Sequence, residues 1–498
     1  MRPEVHSRHR ALVGVVSISA IFLAACGGGG GGSIIDSGST AAPSDNSGPQ
    51  TTVATPLSDL PPCDTTALDS ATGPVSLTFW HGMNGDLEDA LKELTAAYNA
   101  SQTKVAVSLE NQGGYEQTLD KYLQSSQSSR PDIVQSPEYA VQVLRDTDST
   151  IPVGACLESA GYDTSDFLAK ALDQYATEGV QWSMPFNVSN PVLYYNKKVF
   201  AEAGLDPNTS PKNMDEVRSA SQSILDSGAA AFGLSLDTGA DSGGGWFLEQ
   251  WFAKLGELFS DNENGRTAPS TKVLFDGQTG IDLLTDLQML VNDGLAYNVG
   301  DNPSGQDALL KLADPTNAAA MTIATSAALG TVLSTVEGGL IPGITVADIG
   351  VGPMPAPGSV EAPGAIVGGA SLWIVNQDDP VRAAAAWDFI SYLISPQSQS
   401  TWAAATGYIP IRSSALELEP IASTYANDPR FKVAYDQLLE AAESAAAIGA
   451  VLGPQREIRT LTARAIATVL QGGDVATTLT EAAKQANALL ADYIARNQ

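Results

Sequence analysis

The side chains that could carry out a reaction are few. Histidine occurs three times, as His6, His9 and His81. The first two fall in an N-terminal targeting segment, so a Ser-His-Asp relay would have to use His81, and no G-x-S-x-G elbow accompanies it. The sequence has no H-E-x-x-H, no Walker Gly-Lys-Ser/Thr and no G-x-G-x-x-G opening a helix. Paired carboxylates can hydrolyse glycosides, but with 56 Asp+Glu in the chain some pairs must meet by chance. Two classes of function therefore stand: an exported hydrolase, and a binding protein, which the thin catalytic inventory favours. Neither a metal nor a cofactor is expected. Beyond the targeting segment and its Cys26, two cysteines remain, Cys63 and Cys156. An exported chain with an even pair is a disulfide candidate, the alternative being two free thiols.

Charge narrows the partners. The chain has 498 residues with 26 Lys+Arg against 56 Asp+Glu, a net charge of −30. Nucleic acid and anionic bilayers call for basic patches, so neither is a direct partner. At 43% hydrophobic and 16% charged residues the composition is globular, and the length calls for two or three domains. Residues 1–25 read as a signal peptide: Arg2, Arg8 and Arg10 precede an apolar run, 11–23, that is short for a membrane span. The run ends in L-A-A-C, which resembles the bacterial lipobox, and this implies lipidation of Cys26. Residues 26–72, rich in Gly, Ser, Thr and Pro, read as a flexible tether. The expected place is the outer face of the bacterial cytoplasmic membrane, held by the lipid anchor alone.

The elements that must position a ligand follow from periodicity. Residues 75–80, 105–109 and 132–134 read as strands, and helices over 86–99 and 115–125 alternate with them. That alternation predicts an α/β fold with a mostly parallel sheet, whose ligands sit at the carboxyl ends of the strands. The stretch 182–197, W-S-M-P-F-N-V-S-N-P-V-L-Y-Y-N-K, reads as a strand broken at Pro185, a polar turn over 187–191, and a second β-rich run. Such a break suits a chain crossing between two packed lobes, or an ordinary loop between strands. Phe247, Trp251 and Phe252 read as core. Trp246, directly after three glycines, is a candidate cleft wall.

The segment P-F-N-V-S-N-P-V-L-Y-Y-N-K resembles the first hinge crossing of extracellular solute-binding lipoproteins of ABC importers, above all the sn-glycerol-3-phosphate-binding group. The likeness continues in F-W-H-G-M-N-G (79–85), G-G-Y-E-Q (113–117), K-x-x-F-x-x-A-G-L-D-P (197–207), I-V-G-G-A-S-L-W (366–373) and T-G-Y-I-P-I (406–411). The resemblance implies a two-lobe periplasmic-binding-protein-like fold, of the maltose-binding-protein-like cluster, with three hinge crossings. Lobe 1 would comprise 73–186 and 368–411, and lobe 2 would comprise 187–367 and 412–498. It also implies a monomer that binds a small solute and hands it to permease subunits.

The same resemblance implies a ligand set. Tyr115 and Tyr408 would wall the site, Glu138 would accept from ligand hydroxyls, and Ser189 would be the hinge serine. Gly369 would offer a backbone N–H, and Arg459 would pair with phosphate through its guanidinium fork. Thr325 stands where the family has Ser, with Ser326 beside it, and Trp80 and Trp246 are secondary candidates. In P-K-N-M-D-E-V, Met214 replaces a Trp of the family pattern. A thioether there leaves more room than a ring, which favours a glycerophosphodiester over glycerol-3-phosphate itself and leaves a sugar as the alternative ligand.

Overall fold

Strand and helix alternate as the periodicity predicts, but among the described residues the strands form two large sheets and one two-stranded sheet. The computed structural model describes residues 60–302, 306–362 and 364–497. The signal peptide, Cys26 and most of the tether lie outside the described residues. Strands β1 (Val75–His81), β2 (Val105–Asn111), β3 (Ile133–Pro137) and β4 (Thr150–Ile151) begin the first sheet. Two short strands, β5 (Ala176–Thr177) and β6 (Val180–Gln181), pair with each other, and β7 (Met184–Ser189) rejoins that first sheet. The second sheet holds β8 (Pro191–Asn196), β9 (Phe232–Asp237), β10 (Ala296–Gly300), β11 (Ala319–Thr325) and β12 (Ile349–Pro353). Strand β13 (Gly368–Val375) returns to the first.

The strand orders are β2-β1-β3-β13-β4, with β7 also on β13, and β10-β9-β11-β8-β12. Locally connected strands are parallel, as helix crossovers require: β2 and β3 on β1, and β10 and β11 on β9. The strands that bring the chain across are antiparallel. β8 opposes β11 and β12, and β13 opposes β3, β4 and β7. The sheets are therefore mixed, which corrects the mostly parallel expectation: a returning chain enters its sheet from the opposite end. Each sheet has its own apolar core, the first around Phe79, Trp373 and Phe389, the second around Leu234, Trp251 and Phe275.

Pro185 does not end a strand. It lies inside β7, where the register with β13 shifts and Phe186 becomes the extra residue between the pairs Asn187–Ala370 and Pro185–Ser371. A proline lacking an N–H is tolerated at such a bulge. The polar turn expected over 187–191 shrinks to one residue, Asn190, between β7 and β8. Asn190 is tied on every side. Its Nδ2 donates to Ala434 O at 2.9 Å, its Oδ1 accepts from Gln437 Nε2 at 2.9 Å, and its carbonyl accepts from Ser326 N at 2.9 Å.

The second crossing runs through 354–367, between β12 and β13. Gln250 clamps it by bonding both the N–H and the carbonyl of Ile366, at 2.9 and 3.0 Å. The third comes later than expected. Ile411 O accepts from Leu168 N at 2.9 Å, and Arg412 grips Asp166 with Nε at 2.9 Å from both carboxylate oxygens. The helix Ile421–Asn427 still packs on the helix Pro396–Thr406 of lobe 1. Lobe 2 is joined first through Arg430, whose Nη1 donates to Val346 O at 2.7 Å and Ile349 O at 3.0 Å, and then through the helix Val433–Leu439, which lies against β8 and β12. A charge-assisted fork between Arg412 and Asp166 holds the chain on lobe 1 past residue 412.

Residues before position 72, expected to belong to the tether, pack on lobe 1. Cys63 and Cys156 are disulfide-bonded, and Leu68, in the 3-10 helix Thr65–Ser70, is buried in the first core. One cross-link and one apolar anchor fix this segment to lobe 1.

Candidate functional site

A chain of amide and phenol groups lines the lobe-1 side of the crossing. Gly82 N donates to Gln135 Oε1 at 3.0 Å, and Gln135 Nε2 donates to Asn187 Oδ1 at 2.8 Å. Asn187 Nδ2 donates to Tyr115 OH at 2.6 Å, and Tyr115 OH lies 3.2 Å from Tyr408 OH. Gly82 must be glycine because a Cβ would meet Gly114 C at 2.5 Å, where two loops pass closely. The Tyr408 ring stacks on Trp402 (centroids 5.5 Å apart), which stacks on Phe186 (4.9 Å). Burial pushes the Tyr115 phenol well above its ordinary pKa and raises that of Tyr408. Both hydroxyls keep their protons.

Lobe 2 contributes a buried arginine on the helix Gln455–Leu470. Arg459 Nε donates to Glu249 Oε1 at 2.7 Å and Nη2 to Glu249 Oε2 at 2.9 Å, while Nη1 reaches across the lobes to Glu138 Oε1 at 2.9 Å. Its guanidinium also lies 5.1 Å from the Tyr139 ring centroid. The glycine run makes this possible. A Cβ on Gly244 would meet Ala463 Cα at 2.7 Å, and one on Gly245 would meet Arg459 Cβ at 2.8 Å. The helix Trp246–Lys254, which carries Glu249, can therefore press directly onto the arginine helix.

Charge here is unbalanced. Arg459 faces Glu138, Glu249 and Asp241, and Arg456 acts on Asp241 as a second cation, so carboxyls outnumber cations. Burial pushes Glu138 up to about 7 even though Arg459 favours its ionised form, and burial also raises Asp241. The carboxylates hold Arg459 well above its ordinary value, so the guanidinium stays charged. Three of its five N–H groups are engaged, two of them, on Nε and Nη2, by Glu249.

The remaining candidates are dispersed around this centre. Ser189 is buried and pairs with Gly368 in the ladder. Gly369 has φ +95°, and a Cβ would meet Asn187 O at 2.0 Å, so close strand approach alone demands glycine there. Thr325 caps the turn that follows it, accepting from Ala327 N at 3.2 Å, and Ser326 holds Asn190. Trp246 packs on the bare α-carbon of Gly368. Met214 is buried in the lobe-2 core. Trp80 donates to Glu110 at 2.8 Å beneath Lys121, on lobe 1. His81 Nδ1 accepts from Met83 N at 3.3 Å, in a fully buried setting that lowers its pKa.

Sequence reasoning missed Gln135, Asn187, Glu249, Asp241, Tyr139 and Tyr175. The glycine run before Trp246 was a usable signal for Glu249, since close helix contact needs it. Asn187 stood inside the motif but read as turn. Further ties join the lobes: Arg456 to Asp120 at 2.5 Å, Tyr493 OH to Asp146 at 2.7 Å, and Arg266 Nη1 to Asp173 O at 3.0 Å. The lobes are drawn together around Glu138 and Arg459.

Known proteins share this organisation. The sn-glycerol-3-phosphate-binding periplasmic protein UgpB of Pectobacterium atrosepticum is 29% identical over 430 residues, covering 84% of this chain and 92% of that protein. Its Salmonella typhimurium counterpart is 28% identical over 406 residues, covering 80% and 88%. Among solved structures, Mycobacterium tuberculosis UgpB in complex with glycerophosphocholine superposes with TM-score 0.69 at 22% identity, covering 85% of this chain and 99% of that one. The cyclic alpha-maltosyl-1,6-maltose binding protein of Arthrobacter globiformis gives TM-score 0.66 at 24% identity, covering 84% and 99%. The two-lobe fold is thus shared by proteins with different ligands. A model of the bacterial extracellular solute-binding protein matches residues 84–400, well over half the sequence, and the chain belongs to that family.

Proposed function

We propose that this protein captures a glycerophosphodiester, with sn-glycerol-3-phosphate the lesser ligand, between its lobes and delivers it to the permease of an ABC importer. It works outside the cytoplasmic membrane as a monomer tethered through lipidated Cys26, and it has no catalytic activity of its own. The observation that carries the reading is Arg459, a buried cation that reaches from lobe 2 to Glu138 on lobe 1. An anionic ligand group can take over Nη1 from Glu138 and so join the lobes itself. The surplus of carboxyls over cations around Arg459 weighs against a phosphate dianion. A phosphodiester carries one negative charge, and a cationic head group would meet the surplus carboxylates. The binding activity in the names of the relatives supports the glycerol-phosphate class.

A saccharide is the second reading. The Phe186–Trp402–Tyr408 stack and the carboxyl of Glu138 also suit a sugar ring and its hydroxyls. Incubation of the soluble chain with glycerophosphocholine decides between receptor and hydrolase. Thermal stabilisation with intact ligand recovered supports a receptor. Catalytic release of glycerol phosphate or choline would overturn it.

A further inference from the structure

Two buried phenols beside the Glu138–Arg459 pair have hydroxyls with no hydrogen-bond partner among the described residues: Tyr139 and Tyr175. Tyr139 is 3% exposed and Tyr175 is not exposed at all. A buried hydroxyl left unmatched is costly, and native chains keep few of them without a reason. Tyr139 follows Glu138 directly, and its ring lies 5.1 Å from the Arg459 guanidinium. Its phenol feels the charges of Asp241, Glu138 and Arg459. Tyr175 comes from a separate segment of lobe 1 and lies within electrostatic reach of the Glu138 carboxyl and the Tyr408 hydroxyl. The Tyr115 hydroxyl in turn feels Tyr175.

Both phenols stay protonated, since burial and neighbouring carboxyls raise them well above the ordinary phenol value. Each is therefore a hydrogen-bond donor without an acceptor. The indole Nε1–H of Trp246, a donor only, is likewise buried and unpaired at the second crossing. Ligand groups that would satisfy such a set are acceptor oxygens.

We infer that Tyr139 and Tyr175 are specificity-determining residues, whose hydroxyls donate to acceptor oxygens of the solute enclosed beside Arg459. This rests on the reading of the interlobe cleft as the solute site. It adds two donors that lie outside the motifs shared with the family and favours phosphoryl oxygens, which accept strongly and carry no proton of their own.

The test replaces each phenol by its isostere. Tyr139→Phe and Tyr175→Phe remove one oxygen and no protein hydrogen bond, so ligand-free melting temperatures should hold or rise. Calorimetric titration with glycerophosphocholine should show affinity falling about tenfold for each variant, as expected for a lost hydrogen bond to a charged group. ζ-13C tyrosine spectra of the wild-type chain provide a readout without substitution, and two resonances should move on adding the probe. Maltose is titrated in parallel. Should the wild type bind only maltose, the glycerophosphodiester reading fails, while a tenfold loss for maltose in the variants still supports the tyrosine assignment. Unchanged affinity of both variants for whichever probe the wild type binds, with unmoved tyrosine resonances, overturns it.

Discussion

Glu138 and Arg459 belong to different lobes, yet Nη1 of the arginine donates to Oε1 of the carboxyl at 2.9 Å. The pair is buried on both sides. Its partner pair, Arg459 with Glu249, lies wholly within lobe 2 and keeps the guanidinium oriented whether or not the lobes meet. One arginine therefore has one partner on its own lobe and one across the crossing, and the second is the one that the proposed solute would replace.

That exchange should depend on pH. Burial pushes Glu138 up to about 7, and protonation frees Nη1 for an anion. Glycerophosphocholine keeps one phosphate charge through this range, so its affinity should be flat below pH ~6. It should then fall by up to about tenfold per pH unit above ~7. Glu138→Gln should remove the slope, and titration calorimetry between pH 5.5 and 8.5 (about the span needed) measures it. In the ligand-free chain the raised carboxyl has the matching sign. Its contribution to stability is full below the unfolded value of 4.5 and is lost as pH rises through about 7.

Arg459→Ala should be expensive for the fold itself. It leaves Glu249 buried without its bidentate partner, and breaking a buried pair from one side costs about 3–5 kcal/mol. Denaturant melts at pH 5 and pH 8 should show a smaller loss at the lower pH, where burial keeps Glu138 protonated and one carboxylate fewer is left orphaned. A uniform loss at both values would mean that charge burial is not the cause.

How much was legible beforehand depends on the kind of signal. Local periodicity located β1, β2 and the helix that follows each of them, because an edge strand such as β2 alternates and an amphipathic helix repeats. The motif from Pro185 to Lys197 located the first crossing, but Pro185 misled. Proline reads as a strand end, whereas a bulge at Phe186 lets the strand continue. The late third crossing was not legible, since it depends on Arg412 gripping Asp166, which lies 246 positions earlier in the chain. The same holds for Glu249. A carboxylate in an aromatic helix has no sequence mark that says which arginine it meets, and only the adjacent glycines hinted at close contact.

The glycine run gives a sharper test of that contact. Gly245→Ala places a Cβ 2.1 Å from Ala240 O and 2.8 Å from Arg459 Cβ. The helix bearing Glu249 must then shift, so the variant should lose about 1–3 kcal/mol of stability and bind any cleft ligand more weakly. Gly256→Ala is a control in the same region: nothing lies within 4 Å of its Cβ, although its φ of +72° adds local strain. Equal ligand affinities in the two variants would argue against the close contact as the cause.

Removing the disulfide should act on the end of the tether. Cys63 and Cys156 are 93 positions apart, and cross-links of such loops contribute about 2–5 kcal/mol. Cys63→Ser with Cys156→Ser should lower the unfolding midpoint accordingly. The segment around Leu68 should also become open to protease while the cleft still binds. Unaltered proteolysis near Leu68 would show that apolar packing alone holds it.

The central claim is that the lobes close on a singly charged phosphodiester held beside Arg459. Calorimetry of the soluble chain at pH 7 with glycerophosphocholine, sn-glycerol-3-phosphate and maltose tests it most directly, with Arg459→Lys run alongside. Glycerophosphocholine should bind tightest and sn-glycerol-3-phosphate more weakly, and Arg459→Lys should weaken both. Tight binding of maltose with no heat from either phosphate would contradict it.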